Sequence, residues 1–328
     1  MYREKLKEKF RLFLKRSSIS FKQPIFIWGM PRGGTTLLQD LLYLSDDLES
    51  FTIREKRYKK GIWGHLHYGE NVPKSLVNRP SPVEGFPRLW LRNNVYQNIK
   101  KKKILLSDKK KIILELKKIK LEWFFKTNQK KRILEKSPNY VMILDYVNDL
   151  FPDSFHICVI RDPRAVINSF ARLIKYTAKE TAGKELLKGD KLLKFPGYQN
   201  ISKLNTYRIF TWQMEQIIQH SINFKKKIKD RLFFWYHEYT HEDLHFYLEK
   251  LCNKLEISVP EDSELICKNY IFKNNPWWKN KSLKKKKEYN NFLTDKEIHY
   301  LRDLESLSKK LGYNRNTVGK IDRIVFEI

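Results

Sequence analysis

The chain is short of cysteine, glycine, proline, acidic residues and long apolar runs. Its three cysteines, Cys158, Cys252 and Cys267, are an odd and widely spaced set. They form neither a disulfide framework nor paired metal-ligand spacing, which points to a reducing compartment. Glycine and proline number only 12 each in 328 residues, so long regular elements are expected rather than a fold built from loops. The longest apolar runs, such as 232–236, fall far short of the ~20 residues that cross a bilayer. Residues 1–20 are basic and lack the apolar core of a signal peptide. A cytoplasmic location is the expectation that follows.

Acidic residues number 37 against 66 lysines and arginines, a net charge of +29. Such an excess suits a negatively charged partner: nucleic acid, an anionic lipid surface, or a phosphorylated or sulfated substrate. The lysines are spread along the whole chain, with short runs at 100–103, 109–111 and 284–287, so a solvated lysine surface is the plainer reading. No nucleic-acid-binding motif accompanies the charge, and no specific nucleic acid is expected as a partner. Tyr2, Leu6, Phe10, Phe13 and Leu14 recur at helical spacing in the basic N-terminus. They predict a short amphipathic helix that packs on the domain or touches an anionic surface.

Of the residues, 41% are hydrophobic and 14% aromatic, enough for a large core and unlike a disordered chain. Residues 24–29 (PIFIWG) read as a buried strand, and 35–44 as a helix with Leu37, Leu38, Leu41 and Leu42 on one face. Residues 51–100 hold most of the chain-breaking residues and read as an extended loop region over a cleft. Helices are expected at 107–127, at 138–150 behind a Ser137 cap and Pro138, at 203–228 and at 294–311, ended by Gly312. Strands are expected at 132–134, 155–160 and 232–237. Asp162-Pro163 signals another helix start, and Thr240 with Asp243 resembles a capping box that opens a helix to about Leu255. Strands alternating with helices imply an α/β fold, a mainly parallel sheet flanked by helices on both faces.

Gly29-Met30-Pro31-Arg32-Gly33-Gly34-Thr35-Thr36 has the spacing of a phosphate-binding P-loop, except that Thr35 stands where the lysine usually is. Glycines let the backbone curl so that its N–H groups converge, and the helix that follows adds its unpaired N–H groups and positive dipole end. The missing lysine argues against an ordinary ATPase or kinase; the nearby cation is Arg32.

At these residues the chain resembles the sulfotransferases, whose donor loop usually reads P-x-x-G-x-P-[RK]-[ST]-G-T-T. Gly33 departs from that pattern, replacing a common Ser or Thr. A second stretch, CVIRDPRAVINSF at 158–170, is similar to the family's site for the donor's 3′-phosphate. Its Arg161 and Ser169 would grip that phosphate, a guanidinium fork and a hydroxyl being suited to it. EKSPNY around Lys136 matches the family's K-[ST]-P. WWKN with Lys279, followed by a terminal helix closing in L-G-Y, resembles the family's ending. The likeness runs over nearly the whole chain and implies a P-loop NTPase-like fold in one catalytic domain, 24–315, with a basic helical extension at 1–23 and a tail at 316–328.

The resemblance implies sulfuryl transfer from 3′-phosphoadenosine 5′-phosphosulfate, without a metal, to a hydroxyl or amine of a small-molecule, carbohydrate, lipid or protein acceptor. Arg32, Gly33, Gly34, Thr35 and Thr36 would hold the phosphosulfate, with Arg161, Ser169 and Lys279 on the rest of the donor. Arg32 and Lys136 would neutralise the developing charge. The histidine that serves as base in the cytosolic small-molecule branch is missing, because Pro138 occupies its position. Glu55 is the candidate general base, as in bacterial and tyrosylprotein members, although Arg54 replaces the Trp that commonly precedes it.

Two other classes compete. A P-loop kinase is one. The other is a zinc hydrolase, because His237-Glu-Tyr-Thr-His241 fits H-E-x-x-H. His237 is expected at a strand end rather than on the helix that carries His241, so the two would not share a helical face.

Overall fold

The structure is a computed structural model. It describes residues 23–50, 132–167, 169, 195, 206–260, 298–314 and 319–325, together with four two-residue strands between 52 and 82. The expected helix at 107–127 lies outside the described residues, as does most of the 51–100 loop region.

Five parallel strands form the main sheet. In chain order they are β1 (Ile25–Gly29), β2 (Leu48–Glu49), β7 (Arg132–Lys136), β8 (Phe155–Ile160) and β9 (Leu232–Tyr236). The spatial order is β2-β7-β1-β8-β9. The short strands β3 (Thr52–Ile53), β4 (Ile62–Trp63), β5 (Leu66–His67) and β6 (Ser81–Pro82) make two antiparallel pairs, β3 with β6 and β4 with β5. The described helices are α1 (Thr35–Leu42), α2 (Leu144–Leu150), α3 (Thr206–Ile228), α4 (Tyr239–Glu242), α5 (Leu244–Leu255) and α6 (Ile298–Lys310). Residues 163–167 are also helical.

The central strands are buried on both faces, which is why they read as continuous apolar runs rather than alternating ones. Every residue of β1, β8 and β9 is buried. Side chains alternate between the faces. On one face Trp28 Nε1 donates to Ser221 Oγ of α3 at 3.1 Å, and Cys158 Sγ reaches the same oxygen at 3.3 Å. His156 lies on this face between Phe26, Trp28 and Phe224. Its Nε2 meets Ser154 Oγ at 2.8 Å. Burial, with help from the charge of Arg231, pushes this imidazole down to about 3, so it is a neutral core side chain.

Three expected elements differ in detail. Ser137 does not cap a single helix over 138–150. Its N–H donates to the Ile27 carbonyl at 3.0 Å, extending the sheet by one bond. The chain then winds as a 3-10 helix, Pro138–Met142, breaks at Ile143, and only then forms α2. The tighter winding stacks residues three apart, and it buries Tyr140 and Ile143 together. Thr240 does not open the helix that ends at Leu255. It sits inside α4, and its hydroxyl donates to the His237 carbonyl at 2.6 Å. The cap of α5 is Asp243, whose Oδ1 accepts from Phe246 N–H at 3.1 Å. The strand expected at 132–134 continues to Lys136.

The end of the chain folds back. Tyr313 bridges to Ile321, and Asp322 and Arg323 both donate backbone N–H groups to the Gly312 carbonyl. This turn lies against β9, where Tyr236 Oη donates to the Leu311 carbonyl at 3.1 Å and accepts from Val325 N–H at 3.2 Å.

Candidate active site

Parallel register brings four chain segments to one edge of the sheet. Ile27 is level with Lys136, Gly29 with Val159, and Ile160 with Tyr236. The residues that follow β1, β7, β8 and β9 therefore emerge side by side. Moreover, β1 is flanked by strands whose connections run to opposite sides of it. Such a switch point opens a crevice at the C-terminal ends of the strands.

The loop after β1 is a backbone device. Gly33 N–H donates to the Met30 carbonyl at 2.8 Å, closing a tight turn. Arg32 inside that turn has φ 64°, and Gly34 has φ 97°, two left-handed residues around one glycine. Such a curl aims successive N–H groups into one concavity. Gly34 must be glycine for a further reason: a Cβ there would strike the imidazole of His237, which packs over the loop from the end of β9. A Cβ on Gly29 would strike the Val159 carbonyl of β8. Gly34 is the N-cap of α1 and supplies no side-chain bond to the first turn, which also holds no acidic residue. The helix thus presents an uncapped, positive end to the crevice. Thr35 is buried and Thr36 half-buried at this end.

The segment after β8 meets this loop directly. Arg161 Nη1 donates to the Arg32 carbonyl at 2.9 Å, and Arg32 Nε donates to Ser169 Oγ at 3.2 Å. Arg32, Arg161 and Ser169, predicted from two stretches far apart in the chain, therefore line one place. Desolvation pulls both guanidinium groups below their usual range, and the charge of Arg32 lowers Arg161 further. Two neighbouring cations beside an uncapped helix end are an arrangement completed by an anion. Lys136 is buried at the end of β7, level with Ile27, and so belongs to the same edge. Glu55 and Lys279 lie outside the described residues, as do the side chains of the aromatic loop region.

Behind the arginines stands a network that the sequence did not reveal. Asp162 is fully buried. Its carboxylate accepts from Arg164 through N–H (3.0 Å), Nε (3.0 Å) and Nη2 (2.8 Å). It also accepts from Ser308 Oγ at 3.0 Å and Gly319 N–H at 2.8 Å. Glu238 accepts from Asp162 N–H at 3.2 Å and from Tyr313 Oη at 2.6 Å. Burial lifts its carboxyl to about 7, against the opposing pull of Tyr313 and Arg161. The only signals in the sequence were Asp162 as a helix cap and the L-G-Y ending that supplies Tyr313.

The H-E-x-x-H pattern does not form a metal site of the expected shape. His237 lies on the turn after β9 against Gly34, while His241 lies within α4. The two-ligand helical face that such chemistry needs is not built from this pair.

The Sulfotransfer_3 model, described as "Sulfotransferase family", matches residues 24–261. Among solved structures, the chain is similar to the sulfotransferase STF9 from Mycobacterium avium, at 14% identity and a TM-score of 0.48, covering 80% of this chain and 70% of that one. It is also similar to the sulfotransferase domain of the Synechococcus PCC 7002 olefin synthase, at 16% identity and a TM-score of 0.46, covering 91% and 98%. No curated protein sequence matches significantly. The stretch matched by the family model runs from the strand before the phosphate loop past the end of α5, more than half of the chain, and so the chain belongs to the sulfotransferase family.

Proposed function

We propose that this enzyme takes its sulfuryl group from 3′-phosphoadenosine 5′-phosphosulfate, held across the edge where β1, β7 and β8 end. The observation that supports this most is the direct contact of Arg161 with the Arg32 turn. It joins a backbone anion cradle to a guanidinium fork, a pairing suited to a nucleotide with two charged ends. Gly33, Gly34, Thr35 and Thr36 bind the 5′-phosphosulfate, and Arg161 with Ser169 binds the 3′-phosphate. Lys279 adds a further donor contact.

The donor supplies an activated sulfur with a phosphate as leaving group. A new bond forms from the acceptor oxygen or nitrogen to sulfur as the bond from sulfur to the bridging phosphate oxygen breaks. The electron pair stays on that oxygen, where Arg32 and Lys136 neutralise it. Glu55 takes the acceptor's proton. Positive side chains take the part that a metal ion plays in many phosphoryl transfers. The acceptor is a hydroxyl- or amine-bearing molecule that enters beside the 52–90 region.

Calorimetric titration with adenosine 3′,5′-bisphosphate, the expected product, tests the reading. It should bind far more tightly than ATP. Equal or tighter binding of ATP would overturn the assignment and favour a kinase-like donor. Transfer of label from sulfur-labelled donor into candidate acceptors then identifies the second substrate, and Glu55→Ala should lose turnover while keeping bisphosphate affinity.

A further inference from the structure

Two buried carboxylates, Asp162 and Glu238, act on the charge of Arg161, and Glu238 is bonded to the very next residue's N–H, yet neither pairs with the guanidinium. Among the described residues Arg161 makes one hydrogen bond, to the Arg32 carbonyl, and its buried Nε has no partner. No ion pair joins it to Asp162 or Glu238. A carboxylate free to turn beside a half-buried arginine would close a charge-assisted pair with it, and an arginine so paired yields to an anionic ligand only at the cost of breaking that pair.

The oxygens of both carboxylates are already engaged. Asp162 is held by Arg164, Ser308 and Gly319. Glu238 has Oε1 on the Asp162 N–H and Oε2 on the Tyr313 hydroxyl. Three of these donors, Ser308, Tyr313 and Gly319, come from the end of α6 and the turn after it. That segment is anchored independently through Arg164 Nη2 to the Asn314 carbonyl and Tyr236 Oη to the Leu311 carbonyl.

We propose that this terminal segment is a positioning element for the donor site. Through Tyr313 above all, it holds Glu238 off Arg161, so that the guanidinium stays open to the donor's 3′-phosphate. The carboxylate still acts through space: Glu238 is the largest contribution that favours the charged form of Arg161 against its desolvation. The arrangement leaves the Arg161 guanidinium unoccupied. The groups that face Glu238 are Arg161 and Asp162 from the turn after β8 and Tyr313 from the terminal segment, with Gly319 alongside. This inference rests on the donor assignment above.

The test is titration of adenosine 3′,5′-bisphosphate and of adenosine 5′-phosphate, at a pH above 7, into wild type, Tyr313→Phe, Glu238→Gln and the double variant. Tyr313→Phe releases one carboxylate oxygen, and bisphosphate affinity should fall about tenfold. Adenosine 5′-phosphate, which lacks the 3′-group, should bind both proteins alike. Glu238→Gln added to Tyr313→Phe should restore affinity to within about twofold of wild type, because an amide cannot form the competing ion pair. Unchanged bisphosphate binding by Tyr313→Phe, or a loss that Glu238→Gln fails to restore, would overturn the inference while leaving the donor assignment intact. Wild type that does not bind the bisphosphate would overturn both. Should Tyr313→Phe fail to fold, Glu238→Gln alone decides. Wild-type or tighter affinity supports the inference, and a weakening of more than about fivefold overturns it by giving Glu238 a direct role.

Discussion

The loop after β1 and the network behind Arg161 stand side by side and are made in opposite ways. The loop is backbone: a tight turn at Met30–Gly33, left-handed residues at Arg32 and Gly34, and an uncapped helix end. All of it lies within one short stretch of chain. The network is side chain, and its members Asp162, Glu238, Ser308, Tyr313 and Gly319 come from three separate segments. An anion cradle made of backbone tolerates changes in most side chains but no Cβ at its closest approach. A network of side chains tolerates most backbone variation but no loss of a donor.

The largest effect should come from breaking the cradle. Gly34→Ala puts a methyl into the His237 ring at φ 97°, combining backbone strain with overpacking. A loss of about 2–5 kcal/mol in denaturant unfolding is expected, together with loss of bisphosphate binding. Full stability would show that the loop and His237 are not packed as described. Next is Arg161→Ala, which should weaken adenosine 3′,5′-bisphosphate by roughly 10- to 100-fold in calorimetry while hardly changing adenosine 5′-phosphate. Equal losses for both nucleotides would place Arg161 elsewhere on the donor.

A subtler contrast tests the network through pH. Burial raises the Glu238 carboxyl to about 7. A group raised in the folded state stabilises fully below its unfolded value, and that contribution is lost as pH rises through about 7. Glu238→Gln, which cannot ionise, should therefore gain melting temperature relative to wild type between about pH 5 and about pH 8. A difference that does not change with pH would mean that Glu238 is not strained by its burial. The smallest effect serves as a control away from both regions. Asp243→Ala removes the α5 cap and should cost about 1 kcal/mol in unfolding without altering nucleotide affinity.

This contrast also explains what could be read in the sequence. The strand, turn and helix around the loop after β1 were legible because glycine positions and apolar periodicity are local signals. Three of the five parallel strands were legible for the same reason, as unbroken apolar runs at 25–29, 155–160 and 232–236; β7 was read short, as 132–134, and β2, only Leu48–Glu49, is too short to show a pattern and was missed. The link between Arg32 and Arg161 was readable only through family resemblance. The 3-10 turn after Ser137 was hidden because Pro138 opens either kind of helix, and the choice was made by the bond from Ser137 to Ile27 across the sheet. Thr240 and Asp243 both fit a cap, and the strand end at His237 decided between them. Tyr313 was visible only as the last residue of the L-G-Y ending, with nothing to pair it to Glu238; only the folded chain shows that they touch.

The placement of β1 has a consequence for how the enzyme becomes competent. Its two neighbours, β7 and β8, both arrive much later in the chain. Pairings so distant in sequence carry a large loop-closure penalty and form slowly. The loop after β1, although written in a handful of consecutive residues, is therefore expected among the last features to settle during folding. A fragment that contains the motif but lacks the later strands should have no affinity for the nucleotide at all.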